Sequence, residues 1–210
     1  DMRLEWYPTD TQSISLAAYR KSMDNPIENA FDTVGDDYNY YTFTNVKSGE
    51  VRGWELDFRT EFMLGNNYAH SLFVQGNYTK IHSEVNLDKD AKEYDLNRSL
   101  QGQPEFIMNL QLGYDHIETG QELTLVFNRK GEELVIVTPA VSSNVTNVYS
   151  EPYNDLKLIY TKHVGDDLKI SLSGDNILDS EKRQYYENYN KAYLSYKPGR
   201  KYKLKISYAF

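Results

Sequence analysis

The sequence predicts an all-β chain, an antiparallel up-and-down β-barrel that crosses a membrane, and three observations carry that prediction. Apolar and polar residues alternate with period two in segment after segment, whereas the three- and four-residue spacing of an amphipathic helix is hard to find. Short turns rich in Gly, Asn and Asp alternate with long polar connections, which a soluble sandwich has no need of and an up-and-down transmembrane barrel requires. Several segments run 9 to 15 residues, longer than soluble strands and within reach of the ~9–11 that a tilted membrane strand needs.

Nine strands are expected, at about 1–7, 12–22, 49–63, 71–84, 103–115, 121–131, 153–163, 168–175 and 201–210. The chain starts directly in the run Met2-Arg3-Leu4-Glu5-Trp6-Tyr7 with no basic and apolar leader, so its N-terminus reads as truncated or processed. In 49–63, Trp54, Leu56, Phe58 and Phe62 oppose Glu55, Asp57, Arg59 and Glu61, which places that second face in water or in a charged network. Phe106, Met108, Leu110, Leu112 and Tyr114 oppose Asn109 and Gln111, and Leu123, Leu125 and Phe127 oppose Glu122, Thr124 and Asn128. Leu156, Leu158 and Tyr160 oppose Asp155, Lys157 and Thr161, and Leu168, Ile170 and Leu172 oppose Lys169, Ser171 and Ser173. The last segment is the clearest, with Tyr202, Leu204, Ile206, Tyr208 and Phe210 on one face and Lys201, Lys203, Lys205, Ser207 and Ala209 on the other. Short turns fall near 8–10, 64–70, 115–120 and 164–167, and long polar connections at roughly 24–48, 87–102, 132–152 and 176–199.

Composition narrows the function. The 210 residues suffice for one ordinary domain or for part of something larger, and the absence of cysteine removes disulfides, thiolate zinc sites and cysteine nucleophiles. A formal charge of −8 has the wrong sign for coating phosphate backbones, so nucleic acid is not an expected partner. The mean hydropathy of −0.69 and the lack of any run of ~18 apolar residues leave no helix to span a bilayer. Gly-x-Ser-x-Gly, His-Glu-x-x-His and phosphate-binding loops are missing, so no enzyme activity and no cofactor is expected. The stretch Asn86-Leu87-Asp88-Lys89-Asp90 with Glu93 is superficially like a calcium loop, but Ala91 stands where such a loop needs Gly, and no metal is expected. His70, His82, His116 and His163 read as solvated residues near turns or strand ends, and the Asn-x-Ser/Thr triplets at Asn77, Asn97 and Asn144 as chance.

Five motifs carry a resemblance. They are Asn25-Pro26-Ile27-Glu28, Gly53-Trp54-Glu55-Leu56, Leu100-Gln101-Gly102-Gln103-Pro104 with Asn109 and Tyr114, Gly174-Asp175-Asn176-Ile177-Leu178-Asp179, and Tyr196-Lys197-Pro198-Gly199-Arg200 leading into Lys201 to Phe210. In this order, over nearly the whole chain, they resemble the C-terminal part of the β-barrel of TonB-dependent outer-membrane receptors, with Leu178 where Phe is commoner. The resemblance implies a plugged barrel of about 22 strands. It makes residues 1–210 one C-terminal portion, with the N-terminal plug and earlier strands outside this sequence. It also implies residence in the outer membrane of a Gram-negative bacterium and import of a scarce nutrient such as an iron-siderophore complex, cobalamin or a glycan. The partners implied are outer-membrane lipid, the nutrient itself, and the TonB energy-transducing complex, reached through the missing N-terminal region.

Three sets of site residues follow from the resemblance. Tyr208 and Phe210 resemble the assembly signal of the terminal strand. Lys201, Lys203 and Lys205, with Arg200, Lys169 and Lys157, make the wet side of the last strands positive. They either attract an anionic substrate or an acidic plug surface, or pair with Asp and Glu on neighbouring strands. Tyr185, Tyr186, Tyr189, Tyr193 and Tyr196 either stack on a ligand or form an aromatic girdle and loop packing. A plug-free porin-like barrel and, as a third reading, a secreted soluble β-sandwich also fit the alternation. The barrel reading requires neighbours in sequence to pair throughout and no ladder between the first strand and the last.

Overall fold

The structure is a computed structural model that describes residues 1–34, 38–65, 67–87, 98–138 and 146–209. Its strands are β1 (Met2–Thr9), β2 (Gln12–Asp24), β3 (Ile27–Val34), β4 (Tyr38–Asn45), β5 (Ser48–Leu64), β6 (His70–Asn86), β7 (Phe106–His116) and β8 (Gln121–Lys130). They continue with β9 (Glu133–Ile136), β10 (Val148–Ser150), β11 (Tyr153–Val164), β12 (Leu168–Asp175), β13 (Lys182–Tyr186), β14 (Ala192–Tyr196) and β15 (Lys201–Tyr208). Nine of them form one antiparallel sheet in the order β1-β2-β5-β6-β7-β8-β11-β12-β15, and these are the nine expected from period two. The first and last strands do not pair, so the sheet is open, as the barrel reading requires.

The long connections depart from expectation, because they are not plain loops. They carry a β3–β4 hairpin and a four-stranded sheet ordered β14-β13-β10-β9. Runs such as Ala192-Tyr193-Leu194-Ser195-Tyr196 and Glu133-Leu134-Val135-Ile136 have the aromatic and β-branched content of strands. They are short and flanked by polar residues, and the sheet they form is joined by a β10–β13 ladder between two separate connections, so alternation alone does not reveal them.

Register explains the two faces of the large sheet. Leu4, Leu16, Leu56, Tyr78 and Met108 lie side by side across β1, β2, β5, β6 and β7. Farther along, Leu72, Tyr114, Leu123, Tyr160, Leu172 and Leu204 do the same from β6 to β15. This continuous apolar belt is exposed, with Leu4 at 74% and Leu204 at 65%, so the apolar side covers no second sheet. The soluble-sandwich reading, which needs a dry aliphatic core between two sheets, finds none in this sheet. At the long-loop end the belt is bounded by Trp54, Tyr78 and Phe106, with ring centroids 5.3 and 5.9 Å apart in sequence.

The opposite face is polar and internally bonded. Ser15 donates to Asp57 at 3.1 Å, Gln75 to Gln111 at 2.8 Å, Asn109 to Asn77 at 2.8 Å and Ser71 to Glu61 at 2.8 Å. Gly113 allows Phe73 to lie flat on this face, because a Cβ there would fall 1.8 Å from its ring. All four short turns join strands at one end, between β1 and β2, β5 and β6, β7 and β8, and β11 and β12. Gly165, with φ +62°, supplies the left-handed residue of the last of these.

β5 and β6 each run 17 residues, beyond the ~9–11 a tilted strand needs to cross. Their outer thirds pair as Ser48↔Asn86 through Gly53↔Ile81 and carry the chain's own hydrophobic core. Val46, Val51, Val85 and Leu100 are buried there, packed with Tyr19, Met23, Ile81 and Leu87. Core formation thus belongs to the long-loop end, where an apolar cluster can close on itself.

Candidate functional site

The long-loop layer begins with a buried ion pair at which two of the sequence motifs meet. Glu28, at the start of β3, accepts from Arg98 Nη2 at 2.6 Å, from Arg98 Nη1 at 3.1 Å and from the Gln101 N–H at 3.0 Å. Both charged side chains are at most 1% exposed. Gln101 spends its side-chain amide on the same junction. It accepts from the Asn29 N–H at 2.6 Å and donates to Asn29 O at 2.8 Å and Val135 O at 2.7 Å. Three connections that are far apart in sequence meet here, and β3 continues past β9 with an Ala30↔Val137 parallel bridge.

Above this junction the four-stranded sheet has a tightly packed interior. Leu134, Ile136, Val137 and Val148 are at most 1% exposed, and Thr138 is held by Asn147 Oδ1 at 3.0 Å and Thr146 O at 3.0 Å. The tyrosines named from sequence divide on this sheet. Tyr185 and Tyr186 are half-buried, while Tyr189 and Tyr193 are exposed, as is Tyr196. Tyr185 stacks on Tyr149 at 6.2 Å and donates to Glu132 Oε2 at 2.6 Å. Burial first and the Glu132 carboxylate second push its phenol well above the usual tyrosine range. Tyr186 meets Tyr193 edge-on at 5.6 Å.

Sequence reasoning named the aromatics but missed their cationic companions. The Arg183 guanidinium lies 5.6 Å from the Tyr185 ring centre, and Lys182 Nζ lies 4.9 Å from that of Tyr153. Arg183 also pairs with Glu151 and donates to Asn190 O at 2.7 Å. The signal was present in Lys182-Arg183-Gln184-Tyr185-Tyr186, two cations immediately before two tyrosines. Each cation thus lies against a π face, Arg183 with Tyr185 on one face of β13 and Lys182 with Tyr153 on the other.

On the polar face, the named lysines divide as well. Asp175 receives Lys203 Nζ at 2.8 Å and Lys157 Nζ at 3.0 Å, and Lys169 lies 3.8 Å from Glu122. Lys201 and Lys205 make no ion pair among the described residues. Tyr208 is exposed at the end of the apolar belt and pairs with Leu168, whereas Phe210 lies outside the described residues. So do Asp88, Asp90 and Glu93 of the calcium-like stretch, and Asn97 and Asn144. No cluster of three His, Asp or Glu fit to hold a metal occurs among the described residues. The histidines are more engaged than their solvated reading. His163 lies 2.7 Å from Glu122, and His70 bonds Tyr114 Oη at 2.8 Å and stacks on His116. A groove of about 450 Å³ opens on the polar face beside Arg3, Glu5, Asp57, Asn77 and Asn109.

The family described as TonB dependent receptor-like, beta-barrel matches residues 2–177, most of the chain. The chain belongs to the TonB-dependent receptor β-barrel family. Its motifs at Asn25–Glu28 and Leu100–Pro104, which meet through Glu28 and Gln101, fall inside the matched span. Two solved structures share the fold. The ferric-catecholate import receptor Fiu from K12 E. coli is 18% identical with a TM-score of 0.63, over 98% of this chain and 26% of that one. A mutant of the ferric enterobactin receptor PfeA from Pseudomonas aeruginosa is 17% identical with a TM-score of 0.59, over 99% of this chain and 30% of that one. This TonB-dependent receptor chain therefore spans less than a third of either structure. No curated protein matches it. The family is one of receptors and transporters rather than of enzymes, and its barrels are proteins of the Gram-negative outer membrane.

Proposed function

We propose that residues 1–210 form the C-terminal wall and loops of a plugged outer-membrane barrel of about 22 strands. This receptor binds an iron-siderophore complex among its long loops and imports it when the TonB complex acts on the plug. The observation that carries the ligand class is the loop sheet, where Arg183 lies against the Tyr185 ring and the exposed Tyr193 meets Tyr186 edge-on. Such a surface matches the aromatic rings and negative charge of a ferric catecholate complex. The larger barrel is supported by the open edges of β1 and β15, whose unpaired backbone groups cost several kcal/mol each in a bilayer. On this reading the belt from Leu4 to Leu204 faces lipid, the short turns face the periplasm, and Tyr208 with Phe210 signals assembly. Deleting Phe210 is then expected to lower the receptor's level in outer-membrane fractions.

The test is binding of ferric siderophores to the purified full receptor, followed by quenching of tyrosine and tryptophan fluorescence. Saturable quenching by a ferric catecholate, reduced at least tenfold in affinity by Arg183→Ala, is the expected result. Saturable binding of cobalamin or a glycan instead, with none of any ferric complex, overturns the ligand class. Steady ion conductance of the purified protein in planar bilayers would mark it as a plug-free porin.

A further inference from the structure

Two open sheet edges lie on the same side of the chain. The wall ends at β15 and the loop sheet ends at β14. The segment leading from β12 into β13 and the one leading from β14 into β15 are hydrogen-bonded to each other. Asn176 Nδ2 donates to Gly199 O at 2.9 Å, and Arg200 Nε donates to Ile177 O at 2.8 Å. β13 therefore stands over β12 and β14 over β15, so the two open edges form one line. β14 and β15 also run in the same direction, both returning from the β13–β14 turn toward the short-turn end.

The opposite edge of the loop sheet is treated differently. There β3 crosses the end of β9 through Ala30↔Val137, with Val137 N–H donating to Asn29 O. No β-bridge joins β14 to a described strand other than β13, although Tyr41 of β4 comes within electrostatic reach of Tyr193. It reads Ala192-Tyr193-Leu194-Ser195-Tyr196, with neither Lys nor Pro inside it, and Leu194 and Tyr196 are 46% and 47% exposed on one face. Its register with β13 is regular from Leu194 to Tyr196, and the one irregularity lies at the Ala192 end. Natural edge strands are usually blunted by shortness, charge, proline, a bulge or a covering element; β14 is short, but its regular part has no charge, proline or bulge.

We propose that the strand of the same receptor that pairs with β15 runs on past the membrane and adds to β14 as well. This rests on the reading of the chain as part of a larger barrel. A single ascending strand would be antiparallel to both β15 and β14, so one unbroken segment satisfies both edges. The chain already contains the pattern, since β5 and β6 cross the apolar belt and continue as paired strands into the loop layer. The added strand places apolar or aromatic residues beside Leu194 and Tyr196, the two side chains left to cover. The loop sheet then crosses the seam of the barrel and ties the loops of its last strands to those of its first.

The test is residue-resolved amide hydrogen exchange on the full receptor in lipid nanodiscs. A strand bonded on one side protects alternate amides, whereas one bonded on both sides protects consecutive amides. Leu194, Ser195 and Tyr196 are all expected to exchange on the order of a hundredfold or more slower than unstructured amides. Alternation along these three overturns the proposal. The amides of Lys203 to Ser207 in the same data report on the larger barrel. Consecutive protection there with alternation in β14 sinks the seam strand alone, and alternation in both sinks the larger barrel with it. Protection of β14 that grows with receptor concentration assigns its edge to a second copy and likewise overturns the proposal.

Discussion

Replacing Glu28 with Ala is expected to loosen the long-loop layer while leaving the wall intact. The carboxylate receives three hydrogen bonds, two from Arg98 and one from the Gln101 backbone, and both members of the pair are sealed from water. Removing one partner of a buried ion pair costs about 3–5 kcal/mol, because the remaining guanidinium loses the carboxylate that accepts two of its hydrogen bonds. Taking about 3 kcal/mol, the population of loop-open states rises roughly a hundredfold or more at 1.4 kcal/mol per factor of ten. Protease cleavage of the long loops tracks that population when opening is fast. Intact cells or outer-membrane vesicles carrying Glu28→Ala are therefore expected to lose loop resistance about a hundredfold sooner. Heat-modifiable gel mobility, which reports the wall, is expected to stay as in the wild type. Glu28→Met with Arg98→Met should recover much of the resistance, since apolar residues of similar volume replace buried pairs with little loss. Unchanged protease resistance in Glu28→Ala would refute the reasoning, as would a double variant no better than the single one.

Three further outcomes are expected. In membranes, a water-soluble thiol reagent should modify Lys203→Cys and spare Ile206→Cys, since period two puts them on opposite faces; the reverse pattern ends the barrel reading. Gly113→Ala should push the Phe73 ring off the polar face and cost about 1–3 kcal/mol by overpacking, read as a lower unfolding temperature. The cost should vanish in a Phe73→Ala background, and equal melting of Gly113→Ala and wild type would show that the ring has room to move. The raised phenol of Tyr185 stabilises the loop sheet fully below about pH 10, the ordinary tyrosine value, and that contribution is lost as pH climbs through the raised value. Absorbance titration of wild type minus Tyr185→Phe should show one tyrosine ionising later than the bulk, and a difference curve centred at an ordinary value would remove Glu132 as its partner.

The wall was legible because period two reads out one side of a strand at a time. Trp54, Leu56, Phe58 and Phe62 face outward whatever pairs with them, and the register then follows from the turns. All nine wall strands, their order and the placement of short turns at one end could be taken from the sequence. The loop layer could not, because its strands are three to eight residues long and its sheet is completed by a β10–β13 ladder between two separate connections. Tyr149 meets Tyr185 through a β10–β13 ladder that joins two separate connections, and nothing near either residue announces the other. Glu28 and Gln101 were recognisable as parts of two motifs, but their joint use was not, since a buried carboxylate and an amide leave no periodic trace. The five loop tyrosines were likewise named as one group, and only tertiary packing separates half-buried Tyr185 and Tyr186 from exposed Tyr189, Tyr193 and Tyr196.

The wall and the loop layer are stabilised by different means, and the motifs mark the boundary between them. In the wall, backbone ladders carry the cohesion and the apolar side chains face outward, so no core is needed. In the loop layer, a compact core at Leu134, Ile136, Val137 and Val148 and a sealed ion pair at Glu28 and Arg98 supply what lipid cannot. Glu28 with Gln101 on one side, and Asn176 with Gly199 and Arg200 with Ile177 on the other, stand where strands leave the wall. Each contact fastens the base of a loop without specifying its tip. Tyr189, in the turn between β13 and β14, and Tyr193, on β14, lie beyond these fastenings, so a substitution at either leaves the contacts at the loop bases in place.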